Sequence, residues 1–464
     1  MDFLPTVLSL VKIVVVIAYL YGLLWVLGVR VGKKVTIGKK TFDLGIVVNV
    51  VGALVAFGVV QLALTEFNGK SILNAFDAGL IYQACTMVMV ALGLNLIYGF
   101  NGQFSLGQWG FYGIGAYAAA DVTYRWTNGD SRGLIVLGAG VIIGVIVLVL
   151  INKALSNLRR MPVLSSFTLY LLGALFAGFL AVNVGRWVAP LIDPYLGTSL
   201  EPGVLAQGAA LQVVFFLAVV FAGLFAAVIS FLFGLPVLSL GSDYFGIATL
   251  GFSIVIYTLM VNSDTVLPFP EMKGGRGMIG IPKLTNWVWA FGFMLLVIII
   301  MRNLLRSSTG RTILSVREDE IAARAMGVDV ASTKLLAFVA GSLFAGLAGG
   351  VYAHYIGFLS PGAFDFLVGF NPLIIIVFGG LGSMTGTIVA AFGWIFFLEG
   401  SLRELLGKIS TEAPSWRYVL YPLSLLLLML VRPKGLISTE WGFLKAKLIP
   451  LRKSAAERGG AKND

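Results

Sequence analysis

Long apolar runs separated by short polar loops fill the sequence from about residue 7 to residue 431. A transmembrane helix needs about 20 predominantly apolar residues to cross a bilayer. Because most of the runs reach this length, they predict an all-α fold, a polytopic transmembrane helical bundle of roughly ten to thirteen spans. The runs lie near residues 7–27, 44–65, 79–98, 104–122, 134–152, 164–184, 208–232, 244–262, 286–302, 335–356, 367–380, 387–400 and 417–431.

Two glycine-rich segments, residues 93–108 and 378–386, place amides and hydroxyls between apolar arms. Glycine lowers helix propensity and allows positive φ. Irregular backbone at membrane depth persists only where protein surrounds it or where it lines a cavity. Two interpretations stay open: helices broken beside a transport path, or short loops at the membrane surface. The runs at 367–380 and 387–400 are each too short to cross alone, which favours half-spans or a kinked pair.

The composition agrees with a membrane protein, since 58% of the 464 residues are hydrophobic and only 12% are charged. A soluble domain usually carries about 25% charged residues. The net charge is +11, and a basic balance can indicate a nucleic-acid partner. The basic residues cluster, however, in short loops and in the C-terminal tail, as in loops kept on the cytoplasmic side of a membrane. We therefore expect a lipid bilayer, and no nucleic acid, as the partner of this surface.

The basic loops also predict the orientation. Residues 29–43, 153–160, 302–334 and the tail beyond residue 431 carry most of the lysines and arginines. Placing these segments in the cytoplasm gives a consistent alternation of spans, with the N-terminus outside and the C-terminus inside. The loop at 263–285 is a basic exception on the outer face. The first apolar run lacks a basic leader and an A-x-A site, so we expect a transmembrane helix there and not a signal peptide.

Candidate chemistry is sparse in this chain. Cys85 and His354 are its single cysteine and single histidine, which excludes an internal disulfide and a Cys/His metal cluster. We expect no cofactor and no bound metal. No series of acidic residues and histidines follows the spans, which counts against a proton-coupled transporter. A membrane-embedded enzyme would need a cluster of polar catalytic residues that the spans do not offer.

Polar and small residues inside the spans suggest a path and a packing mode. Stretches of glycine and alanine at 113–120 and 341–350 predict helices in close backbone contact, because packing drives helix association in lipid. Possible translocation-path residues, each a polar group near an apolar run, are Gln103, Ser105, Asp243 and Asn371. A structural role for each is an equally open interpretation, and Asp243 can cap the helix that it precedes.

The most informative loop spans residues 307–334. Glu318, Asp319 and Glu320 predict the acidic first turn of a short helix, and Gly327 predicts a left-handed stop. Ile321 and Ala325 would share one face of that helix. Such a helix, held at the cytoplasmic surface, can lie in the groove of a partner protein. The alternative is a solvated surface helix without a partner.

This loop resembles the coupling segment of ABC importer permeases. Ala322, Ala323 and Gly327 match an E-A-A-x-x-x-G pattern, whereas Ile321 takes the place of its acidic residue. In this departure the chain resembles the LivM-type branched-chain amino acid permeases. Their segment reads R-E-D-E-I-A-A-R-A-M-G, and residues 317–327 match it throughout. Further segments resemble that family at 93–118, 242–252, 274–282 and 432–436.

The resemblance implies a permease subunit in the bacterial cytoplasmic membrane that moves branched-chain or related amino acids. Its implied partners are a LivH-type sister permease, two cytoplasmic ABC ATPase subunits and an extracytoplasmic substrate-binding protein. No phosphate-binding G-x-x-x-x-G-K-[ST] loop occurs here, so ATP hydrolysis is expected on separate subunits. The residues that the resemblance assigns to the coupling loop are Gly310, Arg317, Glu318, Asp319, Glu320, Ala322, Ala323 and Gly327.

The resemblance covers about residues 79–437, which are expected to form the permease core. Residues 1–78 would add N-terminal transmembrane helices, and residues 438–464 a partly disordered cytoplasmic tail. The region around Gly274 departs from the family pattern and leaves the substrate open, so a urea or amide ABC permease is an alternative. A stand-alone secondary transporter is a second alternative, although it leaves the coupling-type loop unexplained.

Overall fold

A computed structural model describes residues 75–157, 163–197, 203–238, 242–266 and 272–402, together with short pieces before residue 72 and isolated positions between 416 and 437. The expected span at 7–27, most of those at 44–65 and 417–431, and the tail at 438–464 lie outside the described residues. The proposed division into an N-terminal part, a core and a tail therefore stays a prediction.

Helices form nearly all of the described chain. The first is α1 (Ala75–Leu94), which continues as a π-helix over Asn95–Phe100. The others are α2 (Gln108–Thr127), α3 (Arg132–Asn157), α4 (Val163–Ile192), α5 (Gly208–Val237), α6 (Ser242–Val261), α7 (Ser263–Val266), α8 (Trp287–Arg306), α9 (Ser308–Glu318), α10 (Glu320–Ala325), α11 (Val330–Ile356), α12 (Phe370–Gly379) and α13 (Met384–Trp394). A second π-helix, Ile395–Leu402, extends α13.

Seven helical spans within the described ranges are long and apolar enough to cross a membrane, which agrees with the predicted helical membrane bundle. They are Ala75–Phe100, Arg132–Ala154, Thr168–Tyr195, Gly208–Val237, Tyr244–Val261, Trp287–Arg306 and Val330–Ile356. The helices α12 and α13 are shorter, as the sequence predicts for the runs at 367–380 and 387–400.

Strands are few and short. The hairpins pair β1 (Lys34–Ile37) with β2 (Lys40–Asp43), and β3 (Glu66–Phe67) with β4 (Lys70–Ser71). The third pair joins β5 (Met278–Ile279) to β6 (Phe358–Leu359) in antiparallel register, with Met278 opposite Leu359. This pair fixes the loop before α8 against the chain that leaves α11.

Helix α11 lies at the centre of the bundle, against α1, α2 and α5. Its glycines allow this contact, because a Cβ on Gly346 would collide with Ala226 and Gly223 of α5. A Cβ on Gly115 would likewise run into the Gly346 backbone, which brings α2 against α11. The small-residue stretches therefore pack helix backbones together, as the sequence predicts.

The two faces of the bundle differ in burial. In the most apolar stretch of the span that contains α1, 89% of the residues are buried, whereas the corresponding share is 22% for both α3 and α4. Large apolar side chains on α3 and α4 are more than half exposed; examples are Ile146, Val149, Leu172 and Phe179. An apolar surface of this extent suits contact with lipid. The outer pair α3–α4 thus shields a buried core built around α1 and α11.

Between α11 and α12 the chain runs beside α2 without an α-helix: after β6 it forms one short 3₁₀-helix, Pro361–Phe364, and otherwise irregular backbone. The hydroxyl of Tyr117 donates to the carbonyl of Leu359 at 3.4 Å, and the indole of Trp109 donates to Ala363 at 3.0 Å. The two donors are about two turns apart on α2, which corresponds to about 12 Å along its axis. Backbone that is not α-helical therefore packs against α2 here, as membrane proteins permit where protein surrounds it.

Candidate docking and coupling site

Helix α10, which we term the docking helix (Glu320–Ala325), begins at a side-chain cap. The carboxylate of Asp319 accepts hydrogen bonds from the backbone amides of Ile321 at 2.8 Å and Ala322 at 3.0 Å. Such a cap satisfies amides that have no partner within the helix. The sequence around Asp319 therefore fixes where the docking helix starts.

The helix ends in a Schellman motif. Gly327 adopts a φ of +84°, the left-handed conformation that the sequence predicts. The amide of Gly327 bonds to the carbonyl of Arg324 at 3.0 Å, and that of Val328 to Ala323 at 3.1 Å. These two bonds satisfy carbonyls at the helix end. A residue with a side chain is strained at this φ.

The acidic run is divided between two helices, which corrects one expectation. Glu318 is the last residue of α9, Asp319 is the cap, and only Glu320 lies in the first turn of the docking helix. The cause is the extended backbone of Asp319, with a φ of −157°, which interrupts the helix between α9 and α10. Sequence spacing alone does not reveal this interruption.

A small apolar contact and an ion pair fix the docking helix to the bundle. Ala323 is buried and packs with Val316 of α9 and Val330 of α11. The carboxylate of Glu320 lies 2.6 Å from the ammonium of Lys334, whose side chain is only 13% exposed. A shielded pair of this kind is worth more than a solvated one. These two contacts hold the docking helix against the start of α11.

The opposite face of the docking helix is open. Ile321 is 82% exposed and Met326, just past its end, is 85% exposed. Ala322 and Ala325 are exposed beside them. We call these four residues the docking face. Of the two alanines that match the coupling pattern, Ala322 is exposed but Ala323 points inward, and the large exposed apolar side chains are those of Ile321 and Met326.

A glycine turn joins the docking segment to the transmembrane helix before it. Ser307 caps α9, since its hydroxyl accepts from the amide of Gly310 at 3.2 Å. Gly310 is buried, and a Cβ there would collide with the carbonyls of Leu304 and Leu305. Gly310 thus permits the sharp bend between α8 and α9.

Arg317, near the end of α9, reaches the two glycine-rich segments. Its guanidinium donates a hydrogen bond to the carbonyl of Gly99, at the end of α1. A Cβ on Gly382, in the turn between α12 and α13, would lie 2.6 Å from a guanidinium nitrogen of Arg317. Gly102 packs against the aliphatic part of the same side chain. The side chain of Arg317 therefore contacts both breaks in the apolar pattern.

Asn95 joins these two breaks to each other. Its amide nitrogen donates to the Ser383 carbonyl at 3.0 Å and to the Thr387 hydroxyl at 2.7 Å. Its amide oxygen accepts from the backbone of Gly382 at 2.9 Å. Asn95 is completely buried, and a buried amide is favourable only when it is bonded in this way. We call this arrangement the junction.

The junction lies at the end of the bundle that carries the docking helix, since Arg317 touches it. One of the glycine-rich segments, 378–386, contains the turn between α12 and α13 at this end. The other segment, 93–108, holds the π-helix Asn95–Phe100 and a largely buried connection to α2. Both interpretations left open by the sequence, broken helices beside a path and loops at the membrane surface, stay predictions. The sequence missed Asn95, although a lone amide within an apolar run is a signal for a buried polar contact.

The four candidate path residues are not brought into one cluster by the described contacts. Gln103 accepts a hydrogen bond from Asn101 at 2.7 Å, and Ser105 accepts one from the Gly107 amide at 3.3 Å. Both side chains are buried. Asn371 is half-buried in the first turn of α12. The side chain of Asp243 lies outside the described residues.

No group of three or more metal-binding side chains occurs among the residues that the structure describes. His354 is buried near the end of α11, where its ring lies 2.7 Å from the Thr123 hydroxyl and 2.7 Å from the Gly350 carbonyl. Two hydrogen bonds account for both ring nitrogens. His354 thus serves helix packing, as its position near a helix end suggests.

The fold and this site define a polytopic membrane protein that presents a short, firmly held helix at one end of its bundle. The sequence matches the family described as branched-chain amino acid transport system / permease component over residues 78–189 and 154–430. The chain belongs to this family.

Individual relatives agree with that assignment. A high-affinity branched-chain amino acid transport system permease protein LivM of Escherichia coli is 31% identical over 307 residues, which is 59% of this chain and 65% of the relative. A probable LivM of Methanocaldococcus jannaschii is 26% identical over 242 residues, 48% of this chain and 67% of the relative. LivH of Escherichia coli is 25% identical over 203 residues, 41% of this chain and 62% of that relative.

The chain thus spans 65% of the length of the Escherichia coli LivM protein that it matches. No solved structure matches it.

Proposed function

We propose that this chain is one permease subunit of an ATP-binding-cassette importer that moves branched-chain or related amino acids across the cytoplasmic membrane. The family supports the permease role, and the LivM relatives support the substrate class. The chain itself performs no chemical reaction in this proposal. Two cytoplasmic ATPase subunits supply the energy, and an outside binding protein selects the ligand.

The observation that carries the proposal is the docking face. A helix with large apolar side chains exposed in a polar loop suits the groove of a partner protein. The acidic and basic residues around it can fix the register of that partner. In the proposed assembly the docking helix lies in a groove of one ATPase subunit, on the cytoplasmic side, and the C-terminus lies on the same side.

The contacts of the docking helix suggest how ATP hydrolysis could move the transmembrane helices. ATP-driven closure of the ATPases would displace the docking helix. Because Ala323 and the Glu320–Lys334 pair hold this helix against α11, the central helix would move with it. Such a switch works only if ATP and substrate bind the two states with different free energies. The bundle would then alternate between outward-open and inward-open states.

A sister permease of the LivH type would complete the pathway. We place the path beside the largely irregular stretch 357–369, because irregular backbone within a membrane bundle commonly borders a substrate route. Asn371 follows this stretch directly and is the candidate that this placement favours. Gln103, Ser105 and Asp243 stay proposed path residues.

The proposal is tested by purifying the chain from its native membrane and identifying what co-purifies. We expect two ATPase subunits and a sister permease. A lone homodimer would contradict the proposal and favour a stand-alone transporter.

A second test uses variants of the docking segment. Gly327→Val strains a left-handed position, and a Glu318→Lys/Asp319→Lys double variant removes the cap and reverses two charges. Both are expected to separate ATP hydrolysis from transport in the assembled complex. The control is Gly292→Val, at an exposed glycine of α8 with open space around it. Wild-type transport in both docking variants would overturn the assignment of this loop.

A further inference from the structure

We propose that Arg317 is a positioning residue that links the docking helix to the junction, so that displacement of α9 and α10 moves the end of α1 and the turn between α12 and α13 together. The inference rests on the proposed function and adds a second route of coupling to the one through α11. Its basis is the geometry of one side chain between three elements.

Arg317 belongs to the docking segment by position. It lies in the last turn of α9, two residues before the Asp319 cap. Its backbone is therefore displaced whenever the docking helix is displaced. The side chain extends away from the docking face, toward Gly99 and Gly382. Arginine suits this position because its planar guanidinium is always charged and presents several donors in fixed directions.

The two elements that Arg317 touches are already bound to each other. Asn95 is in the same π-helix as Gly99, and it holds Gly382, Ser383 and Thr387 by three hydrogen bonds. A Cβ on Gly99 would overlap the Asn95 side chain. The backbones of the two breaks thus lie in close contact, and a shift of one is transmitted to the other. One guanidinium is enough to move both.

This arrangement connects the docking helix to the part of the bundle that borders the irregular stretch. Helix α12 begins directly after residues 357–369 and ends at the turn that Arg317 contacts. A displacement at Arg317 would therefore reach Asn371 through a single short helix. Coupling between distant sites needs an unbroken series of contacts. The Arg317 side chain supplies such a series, because it touches two elements that are bonded to each other.

The test compares Arg317→Gln with Arg311→Gln in the complete complex reconstituted into proteoliposomes. Arg311 lies on the same helix α9 and is exposed, and its guanidinium donates a hydrogen bond to the Arg306 carbonyl. The readouts are assembly of the complex, ATP hydrolysis and uptake of radiolabelled leucine. The decisive quantity is the number of leucine molecules accumulated per ATP hydrolysed, because damage to folding lowers both activities in parallel and leaves this ratio unchanged.

We expect Arg317→Gln to assemble normally, to hydrolyse ATP and to lower the ratio by about tenfold, the size of a lost charge-assisted hydrogen bond. Arg311→Gln should keep the wild-type ratio, and Arg317→Lys should restore part of it. An unchanged ratio in Arg317→Gln, a parallel fall of hydrolysis and uptake, or loss of the ATPases from the complex would each overturn the inference.

A double-variant cycle adds an independent criterion. Thr387→Val keeps the shape of the side chain but removes the bond that the hydroxyl accepts from Asn95 and the one that it donates to the Ser383 carbonyl. If Arg317 acts through the junction, the double variant Arg317→Gln/Thr387→Val should be no worse than the poorer single variant, whereas independent effects would multiply. Failure of the wild-type complex to take up leucine with ATP would instead refute the proposed function, whatever the Arg317 variants do.

Discussion

Asn95 and Thr387 are 292 residues apart in sequence, yet the amide of Asn95 donates to the hydroxyl of Thr387 over 2.7 Å. This bond ties the end of α1 to the start of α13. The Asn95 side chain is completely buried, so its amide bonds to protein groups and not to water. Removal of this side chain therefore leaves buried polar groups without partners.

The first prediction concerns this buried amide. Asn95→Ala should lower the free energy of unfolding by about 1–3 kcal/mol, because the part-buried Gly382 amide loses its acceptor. The measurement is thermal unfolding of the purified subunit in detergent. Asn262→Ala, at an exposed asparagine just after α6 that bonds to the Thr258 carbonyl, should change the midpoint little. Equal midpoints for the two variants would contradict a structural role of the junction.

The second prediction concerns helix packing. Gly115→Ala should destabilise the subunit by about 1–3 kcal/mol, since the new Cβ meets the backbone of Gly346 on α11 and cannot be accommodated by side-chain movement. Gly251→Ala places the same methyl group on α6 where nothing lies within 4 Å, and it should be neutral or slightly stabilising. The comparison uses unfolding midpoints in one detergent. A tolerated Gly115→Ala would argue against the close contact of α2 and α11.

The third prediction concerns the start of α11. The hydroxyl and then the backbone amide of Ser332 lower the pKa of Asp329, which caps this helix. Because the folded-state pKa is depressed, the ionised carboxylate stabilises the fold above its unfolded pKa of about 3.9. That stabilisation is lost as the pH falls through the lower folded value.

The check is the unfolding midpoint of the wild type and of Asp329→Asn as a function of pH. Asparagine still caps the helix, so the difference between the two isolates the charge. We expect a constant difference at neutral pH that shrinks below about pH 4. A difference that grows on acidification would show that the sign of the effect is wrong.

The fourth prediction concerns the docking face. Ile321→Glu and Met326→Glu should reduce retention of the ATPase subunits without lowering the stability of the isolated permease, because both side chains are exposed. Quantitative co-purification and thermal unfolding provide the two readouts. Ser308→Glu, which adds the same charge at an exposed position of α9, is the control. Retention equal to the wild type in both variants would exclude this face as the contact.

The sequence predicted the described spans because membrane insertion leaves a strong local pattern. The runs at 79–98, 208–232 and 335–356 correspond to α1, α5 and α11, with the helices extending a few residues further. The stop at Gly327 was predicted for a similar reason, since a left-handed helix end is a local property of the backbone. The division of the acidic run at Asp319 was missed because an extended residue between two helices has no periodic pattern.

The junction could not be predicted in the same way. Asn95 and Gly382 are far apart in the chain, and a single sequence gives no distance between them. The exposure of Ile321 could not be predicted from the sequence either. A hydrophobic residue is usually buried, whereas a residue of a docking surface is exposed in the isolated chain. The packing of residues 357–369 against α2 was also missed. The apolar runs at 335–356 and 367–380 predict a connection between them, but a single sequence does not show which helix that connection contacts.

The central claim is that a separate ATPase drives solute movement through this bundle by way of the docking helix. The most direct measurement is uptake of radiolabelled leucine into proteoliposomes that contain the permease, its co-purified subunits and the binding protein. We predict accumulation only when ATP and Mg²⁺ are present on the side of the docking helix. Accumulation driven by an ion gradient without ATP would contradict the account.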